Sequence, residues 1–78
     1  MRSEKEKQQQ RLKRLAKKLM PRSEVHFNPV GLPDAIEIRV DDSLTGKVLY
    51  ASQGDWTVSQ IKDKNDKELL QLLKIWRH

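Results

Sequence analysis

The sequence contains no cysteine, and this absence excludes several kinds of chemistry. Disulfide bonds, thiolate metal sites and cysteine nucleophiles all need thiols. Without disulfides, a chain of 78 residues depends on a small hydrophobic core for its stability. The absence also agrees with a reducing compartment, so we expect a cytoplasmic protein.

Long apolar runs are lacking as well. No segment approaches the roughly 20 apolar residues that span a bilayer. The first residues are charged and then glutamine-rich, whereas a secretory signal has a continuous apolar core. We therefore expect a soluble, single-domain protein without a transmembrane segment.

Residues that commonly carry catalysis are few. His26 and His78 are the two histidines, and neither has a sequence partner that would orient it for acid-base catalysis. The adjacent carboxylates Asp41 and Asp42 fit a turn better than a divalent-cation site. The three glycines are dispersed, so they form no phosphate-cradling loop. We predict a protein without enzymatic activity, cofactor, metal ion or small-molecule substrate.

Aromatic residues are scarce, which limits base stacking as a binding mode. Phe27 and Tyr50 occupy inward positions of predicted strands, and Trp76 lies on the apolar side of a predicted helix. All three are predicted to be core residues. Trp56 follows a turn in "QGDW", and it is the aromatic residue that remains as a candidate for contact with a partner, although core packing is favoured.

Positive charge is abundant, and it is concentrated at one end. Residues 1–22 contain nine Lys and Arg against two Glu, which gives 9 − 2 = +7. Residues 23–78 contain seven cations and nine anions, which gives 7 − 9 = −2. A basic segment attached to a mildly acidic body favours a polyanionic partner.

The basic segment has the periodicity of an amphipathic helix. Leu12, Leu15, Ala16, Leu19 and Met20 are spaced as one apolar face, within an arc of about 140°. The cations fall on the opposite side. We predict a helix from about Gln9 to Met20, which ends before Pro21, on a domain of residues 9–78. Residues 1–8 are predicted to be a flexible, basic, glutamine-rich extension.

The remaining segments predict a small antiparallel sheet and a second helix. "SEVHFN" alternates as a strand, and residues 35–51 read as a β-hairpin with Val48 and Tyr50 on one face. Residues 56–61 fit either a short extra strand or an irregular segment. Asn65 followed by Glu68 indicates the capping box of a C-terminal helix. The predicted class is α+β in the order α-β-β-β-α, with or without one extra strand, and with both helices on one face of the sheet.

The basic helix suggests a nucleic-acid-associated protein that binds the phosphate backbone of RNA or DNA. The predicted contact residues are Arg11, Lys13, Arg14, Lys17, Lys18 and Arg22. An anionic membrane is a weaker interpretation, because the apolar side of the helix has no aromatic anchor. A cation face that is merely solvated is the third interpretation.

A protein-interaction module is the alternative function. Such a protein would be an adaptor, an inhibitor or a homo-oligomeric subunit, and it would act through the free sheet face, by strand addition at a sheet edge or on an acidic protein surface. The candidate contacts are Leu49, Trp56 and Ile75. Ile75 lies off the main apolar stripe of its helix, which would suit a homodimer contact.

Overall fold

The computed structural model describes residues 3–77, which fold into one α+β unit. The elements, in chain order, are α1 (Glu4–Leu19), β1 (Ser23–Asn28), β2 (Ala35–Asp42), β3 (Val48–Ala51), β4 (Trp56–Thr57), α2 (Val58–Lys62) and α3 (Asp66–Ile75). The predicted class and order are confirmed. Residues 56–57 form the extra strand, and the following residues add a short helix that the sequence did not predict.

Helix α1 begins at Glu4 rather than near Gln9. Ser3 caps it, because its hydroxyl accepts a hydrogen bond from the Glu6 amide at 3.2 Å. Gln8 extends the inward face of the helix and is nearly buried, with its amide nitrogen donating to Glu4 at 2.9 Å. Residues 4–8 therefore belong to the helix, and residues 1 and 2 of the predicted extension lie outside the described residues.

Strand β2 is the centre of the antiparallel sheet. On one side it pairs with β1, where Val25 lies opposite Val40 and Phe27 opposite Ile38. On the other side it pairs with β3 and, near its start, with β4. From Ile36 to Val40 the strand alternates, so Ile36, Ile38 and Val40 point to the same face of the sheet, whereas the buried Ala35 precedes this alternation.

The predicted hairpin of β2 and β3 is confirmed, but it contains an irregularity. Val40 pairs with Tyr50, whereas the next residue, Asp41, pairs with Val48. Leu49 is thus the extra residue of a β-bulge, which reverses the facing of the residues before it. The prediction that Val48 shares the buried face of Tyr50 is wrong, since Val48 is 41% exposed.

Both α1 and α3 cover the same face of the sheet and enclose one core. The buried apolar residues come from α1, β2, β3, α2 and α3. Tyr50 and Trp76 are buried, as predicted, while Phe27 and Trp56 are half-buried against the core. The rings of Trp56 and Trp76 meet edge to face, with centroids 5.4 Å apart.

The short helix α2 and the helix α3 each begin with a capping box. Thr57 caps α2, and Asn65 caps α3 through the Glu68 amide at 2.8 Å, as predicted. Within residues 3–77, no helix has the length and apolar character needed to cross a membrane.

Candidate nucleic-acid interface

Helix α1 presents its cations on the side that faces away from the core. Leu12, Leu15 and Ala16 are buried beneath the helix. Arg14, Lys17, Lys18 and Arg22 are exposed, and Lys13 is half-buried. We call Lys13, Arg14, Lys17 and Lys18 of α1, together with Arg22 in the turn that follows the helix, the α1 cation face.

Arg11 differs from the other predicted contact residues, because it makes internal contacts. Its Nη2 donates to the carbonyl of Lys64 at 2.6 Å, and its Nη1 lies 3.4 Å from the carbonyl of Ile61. Its Nε donates to Asp66 Oδ1 at 2.8 Å. The side chain is only 20% exposed, so its guanidinium ties α1 to the segment between α2 and α3.

Asp66 brings negative charge next to one flank of the α1 cation face. The hydrogen bond from Arg11 lowers the pKa of Asp66 below its ordinary value, and the charges of Arg14 and Lys18 act in the same direction. Arg14 Nη2 is 3.7 Å from Asp66 Oδ2. At neutral pH the carboxylate therefore offsets part of the positive potential on this flank.

The opposite flank of the α1 cation face has no such neighbour. Lys13 and Lys17 form no ion pair with any other residue in the range 3–77. They are four positions apart on a helix, which places them side by side. Lys17 and Lys18 also lie in the last turn of α1, where cations interact favourably with the helix dipole. This helix-stabilising role is the structural alternative to ligand contact.

The uncovered face of the sheet is polar and is largely paired within itself. His26 Nε2 lies 3.5 Å from Asp41 Oδ2 and 4.0 Å from a Glu24 oxygen. Arg39 Nε lies 3.3 Å from Asp41 Oδ1. Asn28 donates to Glu37 at 2.9 Å. Val48, opposite Asp41, is the exposed large apolar side chain on this face, and the side chains that form these pairs are polar.

Glu37, on the uncovered face of the sheet, also affects the pKa of Asp55 in a nearby turn. A hydrogen bond shared with Glu37, together with its negative charge, raises the pKa of Asp55. Two carboxyl groups beside each other favour retention of a proton at acidic pH.

Among residues 3–77, no group of three histidine or carboxylate side chains is arranged to hold a metal ion.

The three candidate protein contacts are in different environments. Leu49 and Trp56 are half-buried against the core, where Trp56 packs on Trp76. Ile75 is 67% exposed, in agreement with its position off the apolar stripe of α3. Ile75 therefore presents more apolar surface to a partner than the other two. His78 lies outside the described residues.

The sequence did not indicate the internal role of Arg11. In helical projection Arg11 falls among the outward cations. Its partners in and between the later helices are distant along the chain: Ile61 is 50 residues away, Lys64 is 53 and Asp66 is 55. The acidic first turn of α3, which contains Asp66 and Glu68, was the only signal for a nearby cation.

Comparisons of this chain with models of protein families, with curated proteins and with solved structures give no match.

Proposed function

We propose that the protein is a non-enzymatic, nucleic-acid-associated protein that binds the phosphate backbone through the α1 cation face. The observation that carries this proposal is the position of α1. Its apolar side is already packed in the core, so the helix holds its cations in fixed relation to the rest of the molecule. A rigid row of Lys and Arg can neutralise several phosphates at once.

Backbone electrostatics supply the expected affinity. Each neutralised phosphate releases condensed counterions, so the binding constant falls steeply as salt is added. The interface contains no aromatic residue in α1, and the described aromatic side chains pack in or against the core. Stacking on bases therefore adds little, and we expect weak sequence preference.

The packing of α1 also favours nucleic acid over a membrane surface. An interfacial helix inserts its apolar face between lipids. Here Leu12, Leu15 and Ala16 are each no more than 3% exposed, so insertion would require α1 to leave the core. Phosphate binding uses only the exposed side of the helix.

The test compares two triple variants with the same net charge. One variant changes Lys13, Lys17 and Lys18 to Gln, and the control changes Lys47, Lys67 and Lys74 to Gln. Each reduces the formal charge from +5 to 5 − 3 = +2. Binding to labelled duplex RNA, duplex DNA and single strands is measured by fluorescence anisotropy over a salt series.

We expect the α1 variant to bind at least about tenfold more weakly at low salt. The slope of log K against log salt should fall by up to about 0.9 for each phosphate contact that is lost. The control variant should keep most of the affinity. Equal losses in the two variants, or no binding of the unaltered protein at low salt, would contradict the proposal.

A protein-interaction module is the second candidate, and the exposure of Ile75 is the observation that favours it. In that case nucleic acid produces no change in anisotropy. Substitution of Ile75 by Ser, rather than of Lys17 by Gln, then weakens association with the protein partner.

A further inference from the structure

The outer edge of β1 is an open sheet edge. Within residues 3–77, β1 pairs with β2 on one side and with no strand on the other. The opposite end of the sheet is partly covered, because Tyr50 forms a bridge with Arg77 and the Ala51 amide donates to the Trp76 carbonyl at 3.1 Å. A six-residue strand with an unpaired edge is a template for another strand.

The hydrogen bonds at the start of β1 identify which backbone groups face this edge. The Ser43 amide donates to the Arg22 carbonyl at 2.8 Å, so the backbone carbonyl of Arg22 points towards β2. Because bonding alternates along an antiparallel strand, Glu24, His26 and Asn28 also bond to β2. The backbone groups of Ser23, Val25 and Phe27 therefore point to the open edge.

One of these groups already has a partner inside the chain. The Ser23 amide donates to the Met20 carbonyl at 3.1 Å. Among residues 3–77, the Ser23 carbonyl and both backbone groups of Val25 and Phe27 form no backbone hydrogen bond on this side. Val25 and Phe27 are partly exposed, whereas Ser23 is only 5% exposed. An added strand must pair with these backbone groups, and it finds no free amide at Ser23 because that amide already donates to Met20.

We propose that β1 pairs antiparallel with β1 of a second copy of this chain, about a two-fold axis at Val25. In this register Val25 exchanges two hydrogen bonds with the partner's Val25. The Phe27 amide donates to the carbonyl of the partner's Ser23, and symmetry repeats this bond. Four hydrogen bonds form in this geometry, and the bond between Ser23 and Met20 is kept.

The side chains on the uncovered face are complementary in the same register. Glu24 lies directly opposite the partner's His26, and the two-fold axis gives a second such pair. These are non-hydrogen-bonded positions, where opposed side chains approach most closely. Both side chains are accessible, with Glu24 67% and His26 43% exposed. A register centred on His26 would instead oppose two identical histidines.

Strand β1 also lacks the features that usually protect an edge. It contains no lysine, proline or bulge, and Pro21 and Pro29 lie just outside it.

The two-fold axis is perpendicular to the sheet, so the two α1 helices lie in one layer on the same side. Their positive charges repel, and salt at about 0.5 M screens this repulsion to a few ångströms.

The experiment is sedimentation equilibrium of the full chain at about 0.15 M and 0.5 M salt. Val25→Pro removes the outward amide at the centre of the ladder without removing a bond to β2, because proline is tolerated on edge strands. Val25→Thr is the matched control, which keeps the amide. We expect a dimer for the unaltered protein and for Val25→Thr, and at least tenfold weaker association for Val25→Pro.

Glu24→Lys provides a second variant that needs no change in the backbone. Glu24 is exposed, so folding should be unaffected, while dimerisation should weaken several-fold because a lysine then opposes the partner's His26. A monomeric unaltered protein at both salt concentrations would overturn the proposal. So would a folded Val25→Pro variant that dimerises as strongly as Val25→Thr. Because sedimentation is measured on the protein alone, its result does not depend on whether the protein binds nucleic acid.

Discussion

At the scale of single residues, Arg11 shows how a surface cation becomes a structural one. Its guanidinium donates to the Lys64 carbonyl, just after α2, and approaches the Ile61 carbonyl, which also accepts from the Lys64 amide at 3.2 Å. Asp66 completes the arrangement from the first turn of α3. Helix α1 is thus joined to the much later helices α2 and α3 by one planar side chain with five donors.

Arg11→Met should reduce the free energy of unfolding by about 1–3 kcal/mol, because the half-buried Lys64 carbonyl loses its donor and Asp66 loses its hydrogen bond from Arg11. The control is Arg14→Met on the same helix, which should stay within about 0.5 kcal/mol because Arg14 is largely exposed. Urea unfolding followed by circular dichroism measures both. Similar effects of the two variants would mean that the bonds of Arg11 add little to stability.

At the scale of secondary-structure elements, local patterns predicted most of what is observed. The apolar periodicity identified α1, and alternation identified β1 and the hairpin of β2 and β3. The N-terminal part of α1 was missed, because glutamine and lysine at its inward positions do not look apolar. Gln8 is nevertheless nearly buried, since its amide is satisfied by Glu4 within the same helix.

Asn65→Ala should reduce the free energy of unfolding by about 1 kcal/mol, because α3 then loses the acceptor for the Glu68 amide. Asn65→Asp is the control, since aspartate is an equally good N-cap residue. Thermal unfolding of the three proteins provides the comparison. If alanine were as stable as aspartate at this position, the capping box would not contribute to the stability of α3.

At the scale of the whole molecule, a basic helix and an acidic body share one hydrophobic core. Leu12 is fully buried in the same cluster as Ile38, Leu69 and Leu73. Helix α1, which has a net charge of 7 − 2 = +5, is therefore part of the folded domain. Charge and stability are coupled at this level, because a change that detached α1 would also remove the proposed phosphate-binding surface.

Leu12→Ala should reduce the free energy of unfolding by about 2–5 kcal/mol, through lost burial and the cavity that remains. Gln10→Ala, on the exposed side of the helix, is the control and should have little effect. Circular dichroism and tryptophan fluorescence should give coincident transitions, because Trp56 and Trp76 pack in or against the shared core. A helix that melted separately from the tryptophan signal would contradict this single unit.

The candidate interface was predictable in part, because local periodicity predicts which side of a helix each residue occupies. The position of Lys13, Arg14, Lys17 and Lys18 opposite the apolar stripe follows from 3.6 residues per turn. Helical periodicity does not reveal which residues of other elements lie beside the helix. Asp66 therefore appears beside Arg11 and Arg14 only once α3 is packed against α1.

The sequence by itself determined the α+β class, the capped C-terminal helix, the hairpin and the separation of charge, because each depends on spacing along the chain. Tertiary structure decided the bulge at Leu49, the internal bonds of Arg11 and the open edge of β1. These features depend on which strands and helices become neighbours. Their contacts join residues that are far apart along the chain, and such contacts are set by packing rather than by local periodicity.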